Sequence, residues 1–260
     1  MDLNGLTALV TGANRGIGRA IAETLAEEPL GLLLVGARAP DQTQPIVPPP
    51  GGAREVRTVA IDLSSREKVE QSASALAEIE EIDLLVNNAG QMTGGLLEDQ
   101  QLDDIYAMFQ VNLVAVTQLT RAVLPGMLRR GRGKIVNNAS ISGYAYFPAA
   151  TTYAAAKAGV VAFSESLRRE LKGTGVDVLH LVTPGVETDM MDDTRAVYGN
   201  HIDESAWDTQ PAGEWAAKVL AAIHSDRHVL GPGGRTALAK LASRGPAKLL
   251  DAISARMFSR

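Results

Sequence analysis

The chain has 260 residues, a length that fits one α/β domain with a substantial core. It contains no cysteine, which excludes disulfides, thiolate nucleophiles and thiolate metal sites, and which fits a reducing compartment. The net charge is −5, but residues 227–260 carry seven basic residues against Asp251 alone, which leaves −11 on residues 1–226. A body this acidic argues against general nucleic-acid binding.

The N-terminus MDLNGLTALVTG lacks the charged segment and long apolar segment of a signal peptide. No apolar run approaches the ~20 residues that a membrane-spanning helix needs. We therefore expect a cytoplasmic protein.

Buried strands and helices alternate along the chain, which predicts a mostly parallel sheet with right-handed crossovers. The predicted strands are Thr7–Val10, Gly31–Gly36, Glu55–Ile61, Leu84–Asn87, Lys134–Asn138, Val176–Val182 and His228–Leu230. The predicted helices are Gly16–Ala26, Arg66–Ile79, Leu102–Arg129, Thr151–Lys172 and Ala212–Ser225.

A glycine turn connects the first predicted strand to the first predicted helix. Gly12, Gly16 and Gly18 stand in the order strand, turn, helix, which is the context of a nucleotide-binding fingerprint. Glycine lets backbone N–H groups approach a pyrophosphate, and the helix N-terminus adds partial positive charge. The alternative is an ordinary tight turn.

A second group of candidate residues lies in the segment 134–157. Tyr153 and Lys157 stand four residues apart, so a helix places them on one face. A neighbouring ammonium favours the phenolate, so we expect Lys157 to lower the pKa of Tyr153. Ser140 could hydrogen-bond the same substrate oxygen, and the three side chains therefore indicate alcohol–carbonyl redox chemistry. The alternative is an exposed helical pair without a role.

These segments together resemble the short-chain dehydrogenase/reductase family. TGANRGIG matches its cofactor motif, NNAG at Asn87–Gly90 its next signature, and PGVETD at 184–189 its PGxxxT motif. The serine-to-tyrosine step of thirteen residues is also that of the family. The resemblance implies a single doubly wound, Rossmann-type domain over residues 1–233 with a seven-stranded sheet. It also implies the catalytic residues Asn112, Ser140, Tyr153 and Lys157.

The resemblance further implies where a nicotinamide cofactor binds. The expected contacts are Gly12, Asn14, Arg15, Gly16, Ile17, Gly18, Arg38, Asp62, Leu63, Asn88, Ala89, Gly90, Tyr153, Lys157, Pro184, Gly185, Val186 and Thr188. Asp62 could instead cap the helix that begins near Ser64. The histidines His180, His201, His224 and His228 are scattered without metal-ligand spacing, so no metal site is predicted.

The end of the second strand bears on which cofactor binds. An acidic residue there would bind a free ribose 2′-hydroxyl and repel a 2′-phosphate. Ala37 occupies that place, Arg38 follows it, and Arg15 lies in the glycine turn. Two guanidinium groups would suit a phosphate dianion, which favours NADP over NAD. Both arginines could also be ordinary surface residues.

Two segments depart from the family pattern. Residues 39–54 contain four prolines after Pro40 and predict an extended loop where the family has a helix. Residues 234–260 predict a basic, amphipathic helical extension that packs on the body or on a partner subunit. A lid over the substrate and contact with an anionic membrane surface are weaker alternatives.

The substrate is expected to be an apolar carbonyl compound or alcohol. The loop after Thr188 should cover the site, and its apolar side chains either contact substrate or pack the loop on the body. The candidate pocket residues are Met190, Met191, Tyr198 and Trp207, with Tyr144, Tyr146 and Phe147 opposite them.

The leading hypothesis is an NADP(H)-dependent oxidoreductase that interconverts an alcohol with a ketone or aldehyde. An imine or enone reductase and a non-catalytic NADP(H)-binding redox sensor are the alternatives. The family also implies a homo-oligomer, either dimer or tetramer, through helices 102–129 and 151–172.

Overall fold

Seven parallel strands form the central sheet, in a computed structural model that describes residues 1–79, 81–190, 201 and 209–232. The strands that the structure describes are β1 (Thr7–Thr11), β2 (Leu32–Ala37), β3 (Val56–Ala60), β4 (Leu84–Asn87), β5 (Gly133–Asn138), β6 (Val176–Leu181), β7 (Gly185–Glu187), β8 (Thr209–Pro211) and β9 (Val229–Leu230). The central sheet has the order β3-β2-β1-β4-β5-β6-β9, and β7 pairs with β8 in a small separate ribbon. Neighbouring strands of the central sheet are all parallel, as predicted.

Helices cover both faces of this sheet. They are α1 (Gly16–Ala26), α2 (Arg66–Ile79), α3 (Leu102–Phe109), α4 (Ala115–Arg130), α5 (Thr151–Glu170) and α6 (Ala212–His224). Helices α1 and α6 pack on one face, where Ile21, Leu25 and Trp215 are buried. Helices α2, α4 and α5 pack on the other face, where Leu119 and Leu167 are buried. The arrangement is the doubly wound fold that the alternation predicts.

The apolar strands lie where their sequence requires. Every residue of LLLVGA in β2 is buried, because helices cover both faces of a parallel sheet. The register sets Leu9 beside Leu34 and Val10 beside Val35. The turn that follows β1 therefore starts from the centre of the sheet, where strand order reverses between β1 and β4.

One predicted helix is interrupted. The sequence predicts a continuous helix over Leu102–Arg129, whereas the structure has a π-helical turn at Gln110–Val114 between α3 and α4. Asn112, in this wide turn, is fully buried, and such turns are frequent at functional sites. The prediction fails because the side-chain contacts of Asn112 lie far away in sequence.

The sequence predicts no apolar run long enough to span a membrane, and the stretch Leu102–Arg130 shows that this prediction is wrong by length and composition. Its mean hydropathy of 1.3 over 18 residues and its length are those of a helix that could cross a membrane. In the structure one face of this stretch, with Met108, Ala115 and Met127, is buried in the protein. A third of that 18-residue window is buried, so packing inside the protein accounts for part of its hydropathy.

The proline-containing segment 39–54 forms no α-helix, as predicted. Its only regular element is a 3-10 turn over Pro40–Gln42. The guanidinium of Arg19, on α1, donates to the carbonyl oxygens of Gln44 and Pro45 (3.3 Å for Pro45). The loop is thus held to the body through its backbone.

The C-terminal extension 234–260 lies outside the described residues, as do Met191, Tyr198 and Trp207.

Candidate active site

The glycine turn lies at the carboxyl end of β1. Gly12 and Gly16 have positive φ angles, of 62° and 56°, which L side chains rarely adopt. At Gly18 a Cβ atom would lie 2.3 Å from both the Gly12 carbonyl oxygen and the Asn88 Nδ2. The three glycines therefore allow the turn to close tightly on its neighbours, and Asn14 and Arg15 stay exposed on its outer side.

Hydrogen bonds fix the NNAG segment against this turn. Asn88 Nδ2 donates to the carbonyl oxygen of Thr11 at 3.1 Å. The Thr11 hydroxyl accepts from the backbone N–H groups of Asn88 and Ala89, each at 3.0 Å. Sequence reasoning misses Thr11, although its place directly before Gly12 is a usable signal. The carboxyl ends of β1 and β4 are thus joined side by side.

The PGVETD segment reaches the same turn from β6. A Cβ atom on Gly16 would lie 3.3 Å from the Thr188 methyl group. Arg15 Nη1 forms an ion pair with Asp189 Oδ2 at 3.2 Å, and these side chains are 65% and 71% exposed. Pro184 and Gly185 lead into β7, where Val186 is buried. The guanidinium predicted to meet a 2′-phosphate therefore has a carboxylate partner in this structure.

The remaining predicted cofactor residues follow β2 and β3. Arg38 is exposed directly after buried Ala37. Asp62 Oδ1 accepts from the Ser64 N–H at 3.0 Å, and Oδ2 lies 2.8 Å from Lys68 Nζ. Partial burial raises the pKa of Asp62, but hydrogen bonds from Lys68 and Ser64 outweigh it and lower that pKa to about 2.

The capping hypothesis for Asp62 is only partly right. The hydroxyl that accepts from the first turn of α2 belongs to Ser65, which bonds the Lys68 N–H at 3.3 Å. The backbone of Leu63, also predicted to contact cofactor, accepts from Gln110 Nε2 at 3.3 Å.

Ser140, Tyr153 and Lys157 converge beside these strand ends. Ser140 follows β5, and its hydroxyl lies near enough to the Tyr153 phenol to oppose the rise of the phenol pKa. Lys157 Nζ lies 5.7 Å from the centre of the Tyr153 ring, one turn along α5. All three side chains are buried, so the exposed-pair alternative is wrong.

Asn112 joins the group through the loop after β4. Its Nδ2 donates to the Gln91 carbonyl oxygen at 2.7 Å, and its Oδ1 accepts from the Gln91 N–H at 2.9 Å. A Cβ atom on Gly90 would lie 3.0 Å from Asn112 Oδ1 and 3.7 Å from Lys157 Nζ. The absence of a side chain at Gly90 thus leaves a short gap that both Asn112 and Lys157 border.

Asn138 is a further site residue that the sequence does not indicate. Its carbonyl oxygen accepts from Lys157 Nζ at 2.9 Å. Its side chain donates to Asn88 Oδ1 at 2.9 Å and accepts from the Thr183 hydroxyl at 2.5 Å. One residue therefore connects the ends of β4, β5 and β6 to the catalytic lysine candidate.

Burial determines the ionisation of the central pair. It raises the pKa of Tyr153 to about 12, against the opposing hydrogen bond from Ser140. It also lowers the pKa of Lys157 to about 8. The expectation that Lys157 lowers the phenol pKa is therefore wrong in this structure, because desolvation disfavours both charged forms. At neutral pH the phenol keeps its proton, as a proton donor must.

The aromatic residues after Ser140 do not line this site. Tyr146 and Phe147 border a separate groove of about 610 Å³ with residues of α5, among them Thr151, Ala155 and Ala158. At about 100° per helical residue, that face of α5 is turned away from Tyr153. Tyr144 contacts His180 instead, with its hydroxyl 2.7 Å from the ring Nε2.

The turn and helix α1 fit the diphosphate of a dinucleotide. Arg15 occupies the N-cap position of α1, but its side chain makes no hydrogen bond to the helix N–H groups. The first turn of α1 contains no acidic residue. The N-terminal N–H groups of an α-helix attract anions, and no side chain from this helix competes for them here. An adjoining gap beside Tyr153 and Lys157 would receive the reactive end of the same ligand.

Comparison with known proteins agrees with this geometry. Residues 6–198 match the family model for short chain dehydrogenases. The 3-oxoacyl-(acyl-carrier-protein) reductase FabG of Vibrio harveyi is 38% identical over 210 residues, which cover 75% of this chain and 81% of that protein. The ketoacyl reductase HetN of a Nostoc species is 38% identical over 200 residues, 74% of this chain and 68% of that protein.

Two solved structures have the same fold. A short chain dehydrogenase from Burkholderia cenocepacia in complex with NADP has a TM-score of 0.82 and 26% identity, and the match covers 98% of this chain and 99% of that one. A short-chain dehydrogenase from Sphingobium yanoikuyae in complex with NADPH has a TM-score of 0.75 and 26% identity, and the match covers 96% of this chain and 93% of that one. The chain belongs to the short-chain dehydrogenase family.

Proposed function

We propose that the protein is an NADP(H)-dependent oxidoreductase that interconverts an alcohol with a ketone or aldehyde. The observation that carries the proposal is the buried Tyr153 phenol, which lies close to Ser140 and Lys157 and beside a glycine turn suited to a dinucleotide. Burial of polar and ionisable side chains costs free energy, and buried groups with strongly shifted pKa values cluster at functional sites.

In the reducing direction, Ser140 and Tyr153 would hydrogen-bond the carbonyl oxygen and hold it in place. The nicotinamide of bound NADPH supplies the hydride for the carbonyl carbon. Tyr153 then gives its proton to the oxygen, so one hydride and one proton convert the carbonyl to the alcohol. Its raised pKa ensures that the proton is present at neutral pH.

Lys157 and Asn112 would restore that proton. With a pKa of about 8, Lys157 is mostly protonated at pH 7 and releases a proton at small cost. Its Nζ borders the gap beside Gly90, and Asn112 Oδ1 borders the same gap. A water held there would connect the lysine with solvent, while Lys157 also binds the nicotinamide ribose. Val186 and Thr188 would hold the carboxamide.

NADP is the proposed cofactor, with NAD as the less favoured alternative. Two related structures contain NADP or NADPH, and an exposed arginine follows β2 where an acidic residue would oppose a 2′-phosphate. Arg15 can contribute once it leaves Asp189, because an exposed ion pair is worth at most about 1 kcal/mol.

Substitution of Arg38 should change cofactor choice. In Arg38→Leu we expect the KM for NADPH to rise roughly 10- to 100-fold, the value of a charge-assisted hydrogen bond, and the KM for NADH to stay constant. The matched control is Arg57→Leu, which removes an exposed arginine paired with Glu55 near the start of β3. Equal effects on both cofactors would contradict the assignment.

The reduction rate should fall as pH rises through about 8. Lys157 is charged below its folded-state pKa and neutral above it, whereas Tyr153 stays protonated until about pH 12. We therefore expect kcat/KM to be constant from pH 6 to 7 and to decline toward pH 10. In Lys157→Arg the decline near pH 8 should disappear, because arginine stays charged. A wild-type profile that is flat through pH 10 is the contrary result.

Two of the curated relatives are reductases of 3-oxoacyl or ketoacyl groups, which supports a substrate class for this protein. We therefore place 3-oxoacyl thioesters first in a panel with apolar ketones and aldehydes. The test is loss of NADPH absorbance with each compound, run in parallel with NADH. Consumption of NADPH by at least one carbonyl compound is expected, and no consumption across the panel would overturn the proposal.

We further propose a cytoplasmic homo-oligomer. Leu102 on α3 and Leu128 on α4 are 69% and 41% exposed, which suits burial against another subunit. Light scattering after size exclusion should give a dimer or tetramer, and a monomeric mass at micromolar concentration would contradict this.

A further inference from the structure

Three polar side chains, Tyr144, His180 and Glu165, contact one another in a row that begins in the segment just after Ser140. The Tyr144 hydroxyl lies 2.7 Å from His180 Nε2, and the other ring nitrogen, Nδ1, lies 3.7 Å from Glu165 Oε1. Tyr144 belongs to the segment after β5, His180 to β6 and Glu165 to α5. His180 is only 1% exposed, so the tyrosine is a hydrogen-bond partner inside the protein.

Glu165 determines which side chain donates and which accepts in the hydrogen bond between Tyr144 and His180. Partial burial raises the pKa of Glu165, but hydrogen bonding and charge from Arg168, with the charge of Arg169, lower it overall. Arg168 Nη2 and Arg169 Nη2 lie 3.2 and 2.9 Å from Glu165 Oε2. An ionised carboxylate favours the proton on the nearer ring nitrogen, Nδ1. His180 Nε2 then carries the lone pair and accepts from the Tyr144 hydroxyl.

Tyr144 terminates the short turn that begins at Ser140. The 3-10 turn Ile141–Gly143 is closed by bonds from Gly143 N–H to the Ser140 carbonyl at 3.0 Å and from Tyr144 N–H to the Ile141 carbonyl at 2.9 Å. At its start, Ile141 N–H donates to the Thr183 carbonyl at 2.9 Å. The turn is therefore anchored just beyond β6 at one end and to His180, on that strand, at the other.

The turn also determines where the Ser140 hydroxyl lies. Ser142 N–H donates to Ser140 Oγ at 3.1 Å, so a shift of the turn backbone moves that oxygen. There is little free space behind it, because a Cβ atom on Gly143 would lie 2.9 Å from the Lys157 carbonyl oxygen. Movement at Tyr144 would thus be transmitted to Ser140 rather than absorbed.

We propose that Tyr144, held by His180 and Glu165, is a positioning residue that sets the Ser140 hydroxyl for the carbonyl oxygen. The proposal rests on the proposed function for the role of Ser140. It assigns no substrate contact to Tyr144 or His180.

Tyr144→Phe isolates the hydrogen bond from packing. The two rings are stacked with centres 6.2 Å apart and planes 22° apart, and phenylalanine preserves that stacking. His180→Leu removes the acceptor, whereas His180→Gln restores an amide oxygen at about the position of Nε2. Tyr106→Phe, which alters a 74% exposed phenol on α3, is the matched control.

The kinetic test measures kcat and the KM for NADPH in these variants. Displacement of a catalytic group by a fraction of an ångström should lower kcat roughly ten- to hundredfold in Tyr144→Phe and His180→Leu, with the KM for NADPH within about twofold of wild type. His180→Gln should recover most of kcat, and the double variant Tyr144→Phe/His180→Leu should lose no more than either single one. Multiplicative losses, or no recovery in His180→Gln, would overturn the proposal.

Hydrogen exchange gives a readout that does not need turnover. Amides 141–145 should exchange at least about tenfold faster in His180→Leu than in wild type, while His180→Gln and Tyr106→Phe should match wild type. If wild type reduces no carbonyl compound, the proposed function fails and the exchange still decides whether His180 holds the turn. Unchanged exchange in His180→Leu would refute the positioning role in either case.

Discussion

Replacement of Tyr153 by phenylalanine should lower kcat for carbonyl reduction by about 10²- to 10⁴-fold, which is the contribution expected of a positioned proton donor. The phenol is buried, contacts Ser140, and has a pKa of about 12, so it is the protonated group that faces the predicted position of the substrate oxygen. Phenylalanine removes that proton and one hydrogen bond without changing the ring.

The fold should tolerate this change. The ring packs with Met108 and Ala156, contacts that phenylalanine preserves. NADPH affinity measured by fluorescence titration should therefore stay within about threefold, since the glycine turn is unaffected and the loss concerns the reaction step. Tyr106→Phe is the control and should keep full activity. Retention of more than about a tenth of wild-type kcat in Tyr153→Phe would refute the acid role.

Replacement of Gly18 by alanine should have the largest effect on cofactor binding. The added methyl would lie 2.3 Å from the Gly12 carbonyl oxygen and from Asn88 Nδ2, which is a steric clash with both atoms. Overpacking of this kind costs roughly 1–3 kcal/mol. The turn must shift and the bonds from Asn88 to Thr11 must weaken, so NADPH affinity should fall roughly ten- to hundredfold.

Gly213→Ala is the matched control for that substitution. Gly213 lies in the first turn of α6, its φ is not positive, and a Cβ atom added there would have no neighbouring atom within 4 Å. Alanine favours helix over glycine, so the free energy of unfolding should stay constant or rise by up to about 1 kcal/mol. Chemical denaturation of both variants would measure this, and wild-type affinity in Gly18→Ala would contradict the account of the turn.

The predictable part of this protein is the part that local sequence determines. The strand–glycine–helix order of residues 7–26 is fixed by an apolar run, three glycines and an amphipathic repeat. The observed bounds of α1 and α2 are those predicted, and Tyr153 and Lys157 share one face of α5 because they stand four residues apart.

What could not be predicted depends on contacts between distant segments. The π-helical turn follows from the two hydrogen bonds of Asn112 with Gln91, which no pattern within residues 102–130 contains. The sequence predicts the pKa of Tyr153 in the wrong direction because the neighbouring lysine is visible in it while the burial of the phenol is not.

The path of the loop after Ser140 is hidden from the sequence for the same reason. Tyr146 and Phe147 are expected in the pocket, but the chain passes through a left-handed conformation at Ala149, with φ of 61°. The Ala149 carbonyl accepts from Gly95 N–H at 2.9 Å, which ties this loop to a segment far earlier in the chain. No local pattern in the sequence of this loop contains that contact.

The most direct test of the central claim follows deuterium from NADPH to the product. A carbonyl compound that consumes NADPH in the panel is reduced with cofactor that carries deuterium at both hydrogen positions of the reactive nicotinamide carbon, and the alcohol is analysed by mass spectrometry. We expect one deuterium on the carbinol carbon, and a rate that falls at least about a hundredfold in Tyr153→Phe. An alcohol without deuterium, or equal rates in both proteins, would contradict hydride transfer assisted by the Tyr153 proton.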